Sequence, residues 1–187
     1  MIAFRSDASS NIGQGHTIRC LKLAKAIRNN GNDCFFICRD LEGNLIKKIQ
    51  QEGFAVHVLS SSNLSKKIKT TNKLKLSHAD WLGVSWEQDA EETINAISSK
   101  KIDLLIVDHY ALDKSWEQKL RPYTKKIMVI DDLADRKHDC DYFLDQNLGS
   151  SPEIYKNLLP NMCNQLYGPS YALLDPAYSL YRSKFNN

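Results

Sequence analysis

The sequence predicts an α/β fold with a doubly wound, mainly parallel sheet of Rossmann-like type, and three observations predict it. Short, near-continuous apolar runs recur at positions 2–4, 34–38, 54–59, 104–107, 127–130 and 142–144, as strands buried on both faces do. Amphipathic segments stand between them at 17–30, 44–52, 88–99 and 114–120, which gives the strand-helix alternation of a parallel sheet. Polar residues collect directly after the apolar runs, on the edge of such a sheet where ligands bind.

Composition narrows the class. A chain of 187 residues, 42% hydrophobic and 25% charged, can bury a sizeable core and falls outside the disordered and collagen-like classes. Positions 1–177 are expected to form one domain, and 178–187 to begin an interdomain connection. Lys+Arg 25 against Asp+Glu 22 leaves +3, too little for a nucleic-acid footprint. Arg5 and Asp7 interrupt the apolar start, and no later stretch approaches a membrane span, so a cytoplasmic protein without membrane contact is expected. Five cysteines with no CxxC match neither a disulfide framework nor a zinc site, so reduced thiols are expected. Cys34 and Cys38 share one strand candidate, about 13 Å apart, and cannot be bridged.

The elements follow in order. After the first strand, the helix at 17–30 places Ile18, Leu21, Ala24 and Ile27 on one face and Arg19, Lys22, Lys25 and Arg28 on another, so the basic stripe is expected to be solvated. Asn30-Gly31 ends it as a C-terminal cap. The stretch 60–79 breaks the rhythm, carrying Lys66, Lys67, Lys69, Lys73 and Lys75, and reads as a loop or ragged helix with a solvated face. Beyond Gln146 and Asn147, Gly149, Pro152, Pro160, Gly168, Pro169 and Pro176 punctuate short aromatic pieces with no further strand predicted.

The loop Ser6 to His16 is the most informative part of the chain. It combines small residues, Gly13, Gly15 and a histidine just before a helix. At a helix N-terminus the macrodipole disfavours an imidazolium, which suits His16 to a general base, although capping the helix is an equally ordinary use. Gly13-x-Gly15 is half of a dinucleotide fingerprint, but Ile18 stands at the third glycine position, so no nicotinamide cofactor is expected. Asp108-His109-Tyr110 offers a carboxylate, an imidazole and a phenol at one strand end, suited to holding a polyhydroxylated or acetamido-bearing ligand. Asp131 and Asp132 are adjacent and point apart on a strand, and His138-x-Cys140 lacks a second pair at ligand spacing, so no metal is required. Beside a place in a metal-binding pair, N-capping the segment from Leu133 is an equally good use of Asp132.

Taken together, several blocks resemble one family. They are Arg5-Ser6-Asp7-Ala8-Ser9 with Ile12-Gly13-Gln14-Gly15-His16 and Arg19-Cys20-Leu21, then Cys38-Arg39-Asp40-Leu41-Glu42-Gly43-Asn44 and Asp80-Trp81-Leu82-Gly83-Val84. Glu87-Gln88-Asp89-Ala90-Glu91-Glu92-Thr93, Val107-Asp108-His109-Tyr110-Ala111-Leu112-Asp113 and Ile130-Asp131-Asp132-Leu133-Ala134-Asp135-Arg136 continue it. Asp145-Gln146-Asn147-Leu148 and Tyr167-Gly168-Pro169-Ser170-Tyr171-Ala172-Leu173-Leu174 close it. In this order they resemble the UDP-2,4-diacetamido-2,4,6-trideoxy-beta-L-altropyranose hydrolases of pseudaminic acid biosynthesis.

That resemblance implies the N-terminal domain of a glycosyltransferase-B fold. It also implies metal-free, cofactor-free, inverting cleavage of a UDP-sugar, with His16 in the catalytic position. Arg5, Asp7, Gly13, Gly15, Asp108, His109 and Tyr110 are then the expected substrate-binding residues. The family continues into a second, nucleotide-binding domain, so a C-terminal domain or a partner chain is expected to complete the site. A non-catalytic or partner-dependent remnant holding the sugar-side half is the alternative, and a nicotinamide-dependent oxidoreductase a third reading.

Overall fold

The computed structural model describes residues 1–61, 76–175 and 178, and among these residues seven strands form one sheet, six of them built from the apolar runs. They are β1 (Ile2–Ser6), β2 (Cys34–Arg39), β3 (Ala55–Leu59), β4 (Leu104–Asp108), β5 (Ile127–Ile130), β6 (Tyr142–Asp145) and β7 (Asn164–Tyr167). Their order is β3-β2-β1-β4-β5-β6-β7, and every neighbouring pair is parallel. The chain starts at the middle of the sheet, winds out to β3, then crosses back beside β1 and winds the other way. This is the doubly wound, Rossmann-like arrangement that the alternation predicts.

The period of two along each strand sorts side chains between two cores. Ala3, Phe35, Ile37, Leu105 and Val107 join Ala90 and Ile97 of α3 (Trp86–Ile97) and Trp116 and Leu120 of α4 (Lys114–Leu120). Phe4, Phe36, Cys38 and Ile106 join Cys20, Leu21 and Ala24 of α1 (Gly15–Asn29) and Ile46 and Ile49 of α2 (Ile46–Gln51). Trp116 is fully buried, and truncating an aromatic of this kind to alanine costs about 3–5 kcal/mol.

Helix ends follow local chemistry. Ser85 caps α3 by accepting from the Gln88 amide at 3.2 Å, and Asp113 caps α4 by accepting from the Ser115 amide at 2.8 Å. Asn30 closes α1, its side-chain amide donating to the Ala26 carbonyl at 2.8 Å, and Gly31 follows at φ +79°, as the Asn-Gly pair predicts. No helix among the described residues is long and apolar enough to cross a membrane.

Two expectations are corrected. The sequence predicts six strands, and the structure adds β7, whose residues are exposed or half-buried. An edge strand needs backbone pairing on one side only, so it carries no apolar run to betray it. Arg19 is not solvated: its side chain is 14% exposed and turned toward β4, since it lies one turn beyond His16 on α1. The lysine run from Lys66 to Lys75 and the expected connection at 178–187, apart from Tyr178, lie outside the described residues.

Candidate functional site

Strand order brings two distant parts of the chain together. Asp108 ends β4 directly opposite Ser6 of β1. From these two strands the chain departs to α1 on one face and α4 on the other, which makes this the topological switch point, where doubly wound sheets have their ligand crevice. The loop from β1 to α1 is pinned by its own small residues. Ser9 Oγ accepts from the Ile12 amide at 3.0 Å, and the Gly13 amide donates to the Ser9 carbonyl at 2.8 Å. Gly13 has φ +79°, a conformation glycine alone adopts freely. Gly13 and Gly15 are both exposed. Helix α1 has neither a side-chain cap nor an acidic residue in its first turn, so no group of its own offsets its positive end.

His16 stands in that first turn. Its Nδ1 lies 2.6 Å from Asp108 Oδ1, and pairing with the carboxylate makes Nδ1 the protonated nitrogen and leaves the lone pair on Nε2. Asp108 is gripped by Arg19 as well, from Nε to Oδ2 at 2.6 Å and from Nη2 to Oδ1 at 2.7 Å, and the Cys20 thiol donates to Oδ2 at 3.5 Å. Burial opposes charge on Asp108, but Arg19 and His16 hold its carboxyl well below the usual range. It is therefore a fixed anion behind the imidazole.

Tyr110 lines the same crevice. Its ring meets His16 edge-on at 4.4 Å between centroids, and its hydroxyl donates to Asp132. Burial and that bond push the phenol well above its ordinary value. Asp132 also accepts from Asn147 Nδ2 at 3.2 Å and lies 3.7 Å from Arg19 Nη1. The expected cap is thus supplied by its neighbour: Asp131 Oδ2 accepts from the Leu133 amide at 3.3 Å, because adjacent residues at a strand end point apart. His78 and Trp81 extend the wall, with ring centroids 5.6 and 5.9 Å from that of Tyr110.

Arg5, Asp7 and His109 sit deeper, all buried. Arg5 donates to Asp7 at 2.6 and 2.8 Å and to Asp89 of α3 at 3.1 and 2.6 Å. Arg39 reaches Asp89 at 2.8 Å and Glu92 at 2.6 Å. His109 Nε2 lies 3.3 Å from Asp7 Oδ2, and its Nδ1 accepts from the Ala111 amide at 3.1 Å. Burial opposes charge on Asp7, yet Arg5 and His109 hold it far below the usual carboxylate range, while burial drives His109 toward its neutral form. Of the expected site residues, the structure brings His16, Asp108 and Tyr110 together at the crevice. It leaves Gly13 and Gly15 open in the loop beside it, and ties Arg5, Asp7 and His109 into a network beneath.

Arg19, Arg39, Asp89, Asp132 and Asn147 belong to these networks without having been singled out as site residues. The spacing of Arg19 three residues after His16 is a signal for a shared helix face. Nothing in the sequence marks Asp89 as the buried centre of an ionic cluster. Among the described residues no group of His, Cys, Asp and Glu is arranged to hold a metal.

Fold and site together define a Rossmann-like α/β domain with a histidine-carboxylate pair at its topological switch point. No protein-family model matches the chain. The chain resembles the N-terminal half of the UDP-2,4-diacetamido-2,4,6-trideoxy-beta-L-altropyranose hydrolase of Campylobacter jejuni subsp. jejuni serotype O:2, with 34% identity over 174 residues, 92% of this chain and 51% of that protein. It is also 25% identical over 176 residues to uncharacterized protein MJ1062 of Methanocaldococcus jannaschii, covering 92% of this chain and 30% of that one. The chain thus spans about half the length of the first relative and less than a third of the second.

Proposed function

We propose that this chain provides the sugar-side half of the site in a UDP-sugar hydrolase of glycosyltransferase-B architecture. The reaction is release of UDP and 2,4-diacetamido-2,4,6-trideoxy-L-altrose, a step of pseudaminic acid biosynthesis, by inverting cleavage of the anomeric C–O bond. The observation that carries this reading is the His16-Asp108 pair, with Arg19 clamping the same carboxylate. The resemblance to the Campylobacter hydrolase supplies the substrate.

In this reading a water molecule stands between His16 Nε2 and the anomeric carbon, on the face opposite the diphosphate. As the water attacks, Nε2 takes its proton, and the ionised Asp108 stabilises the imidazolium that forms. Arg19 keeps Asp108 from accepting the proton itself. The departing diphosphate is a stable anion and needs no general acid. Tyr110, fixed by Asp132, positions the sugar, while Arg5, Asp7 and His109 act from beneath by holding the strand ends in register. Most of the nucleotide is held by a counterpart of the relative's second half, supplied by a further domain or a partner chain.

The test is turnover in a chimera joining this chain to the second half of the Campylobacter relative. UDP release is followed with time, and the anomer first formed is read by NMR. His16→Ala is expected to slow hydrolysis by about 10²–10⁴-fold. Full activity of that variant, retained anomeric configuration, or a loss on EDTA treatment that added metal restores, would each overturn the mechanism. Calorimetry on the 187-residue chain tests the division of labour, since UDP binding at micromolar strength or tighter would place the nucleotide subsite in this half.

A further inference from the structure

We propose that Cys140 and Cys163 are a redox pair that closes reversibly to an intramolecular disulfide. Cys140 lies two positions before the start of β6, with Asp141 between, Cys163 directly precedes β7, and the neighbouring backbones are tied by the Asn164 amide donating to the Asp141 carbonyl at 2.9 Å. The two Sγ atoms lie 3.6 Å apart. Forming the bond needs the sulfurs to approach by roughly 1.5 Å, a distance that side-chain rotation covers without unpairing the strands.

The two cysteines are not equivalent. Cys140 is 3% exposed in the core against α4, whereas Cys163 is only partly covered. At this separation the two thiols share one hydrogen bond, in which either sulfur can be the donor, so access is what distinguishes them. The charged groups that face the pair are Glu117 of α4, Arg121, His138 and Asp141. Oxidants reach the more accessible thiol first, which makes Cys163 the sulfur that is oxidised and Cys140 the resolving one. Cys20 and Cys38 are buried apart from this pair, and Cys34 donates to the Asn32 carbonyl; none of the three has a second thiol in contact.

With hydrogen peroxide as oxidant, the Cys163 thiolate takes one oxygen to become a sulfenic acid and releases hydroxide. That hydroxide removes the Cys140 proton as water. The Cys140 thiolate then attacks the sulfenic sulfur and expels a second hydroxide, so the two cysteines lose two electrons to the peroxide. The bridge encloses the segment that carries Asp145 and Asn147, the latter bonded to Asp132 beside Tyr110. A redox-responsive disulfide of this kind is compatible with a reducing compartment, where such bonds are transient.

The experiment treats the intact protein with stoichiometric hydrogen peroxide and reads mass and non-reduced peptides. The expected result is loss of two hydrogens, one peptide pair joining Cys140 to Cys163, and full reversal by dithiothreitol. Cys140→Ser is expected to trap a dimedone-reactive sulfenic acid at Cys163, and Cys163→Ser to abolish both species. Oxygen addition without a crosslink in the wild-type protein, a bridge between other cysteines, or disulfide-linked dimers as the main product would overturn the proposal. If either serine variant fails to fold, the wild-type peptide map alone decides.

Discussion

His16 and Asp108 are 92 positions apart in sequence and 2.6 Å apart in space. The contact exists because β1 and β4 are neighbours in the sheet, with Ser6 paired to Asp108, so the helix after β1 starts over the end of β4. The carboxylate sits between a titratable ring and a permanent cation, with Arg19 bonded to both of its oxygens. That arrangement orients the imidazole and keeps the anion from becoming the base.

Replacing Asp108 by Asn keeps the shape and removes the charge. An amide can offer its NH2 to Nδ1, which puts the proton on Nε2 and takes away the ring's free acceptor. Hydrolysis in the chimera is expected to fall by about 10²–10⁴-fold. Near-normal turnover by a folded Asp108→Asn variant, with circular dichroism unchanged, would show that the pair does not serve the reaction.

The ionic cluster beneath the site should carry stability rather than chemistry. Asp89 is fully buried and accepts from Arg5, Arg39 and Trp116, so Asp89→Ala leaves two buried guanidinium groups short of counter-charge. Urea unfolding should show a loss of about 3–5 kcal/mol, the usual consequence of breaking one side of a buried pair. A loss below 1 kcal/mol, on the order of an exposed pair, would mean that water reaches the cluster.

His138 gives the fold a dependence on alkaline pH. Its ring is buried, with Nδ1 2.7 Å from Glu117 and Nε2 3.8 Å from Asp131, beside Arg136 bonded to that same Asp131. Burial works against the imidazolium, but Glu117 and Asp131 prevail and raise its value to about 9. A raised folded value means that the contribution is complete below the ordinary histidine value near 6.5 and is lost as pH rises through about 9. The loss is expected to reach about 3 kcal/mol, measured by urea unfolding from pH 6 to pH 10. His138→Gln should remove most of that slope, and a wild-type stability that stays flat over the range would contradict the assignment.

Much of this architecture is written locally. A strand buried on both faces must be apolar throughout and a half-buried helix must repeat near 3.6 residues, so runs such as 104–107 and the stripe of α1 announce their elements. Parallel connections place every strand's carboxyl end on one edge, so the sequence alone assigns the polar residues after the strands, His16 and Asp108 among them, to a common edge. Which of them touch it does not assign. Arg19 reads as one more base on a solvated stripe, Asp132 as a cap, and β7 as loop. Their roles depend on β1 lying beside β4 and on β6 offering a free edge, and periodicity does not encode strand order. The burial of Arg5 with Asp7 and Asp89 is likewise a consequence of packing, because an isolated charge reads as surface until three elements close over it and supply its partners.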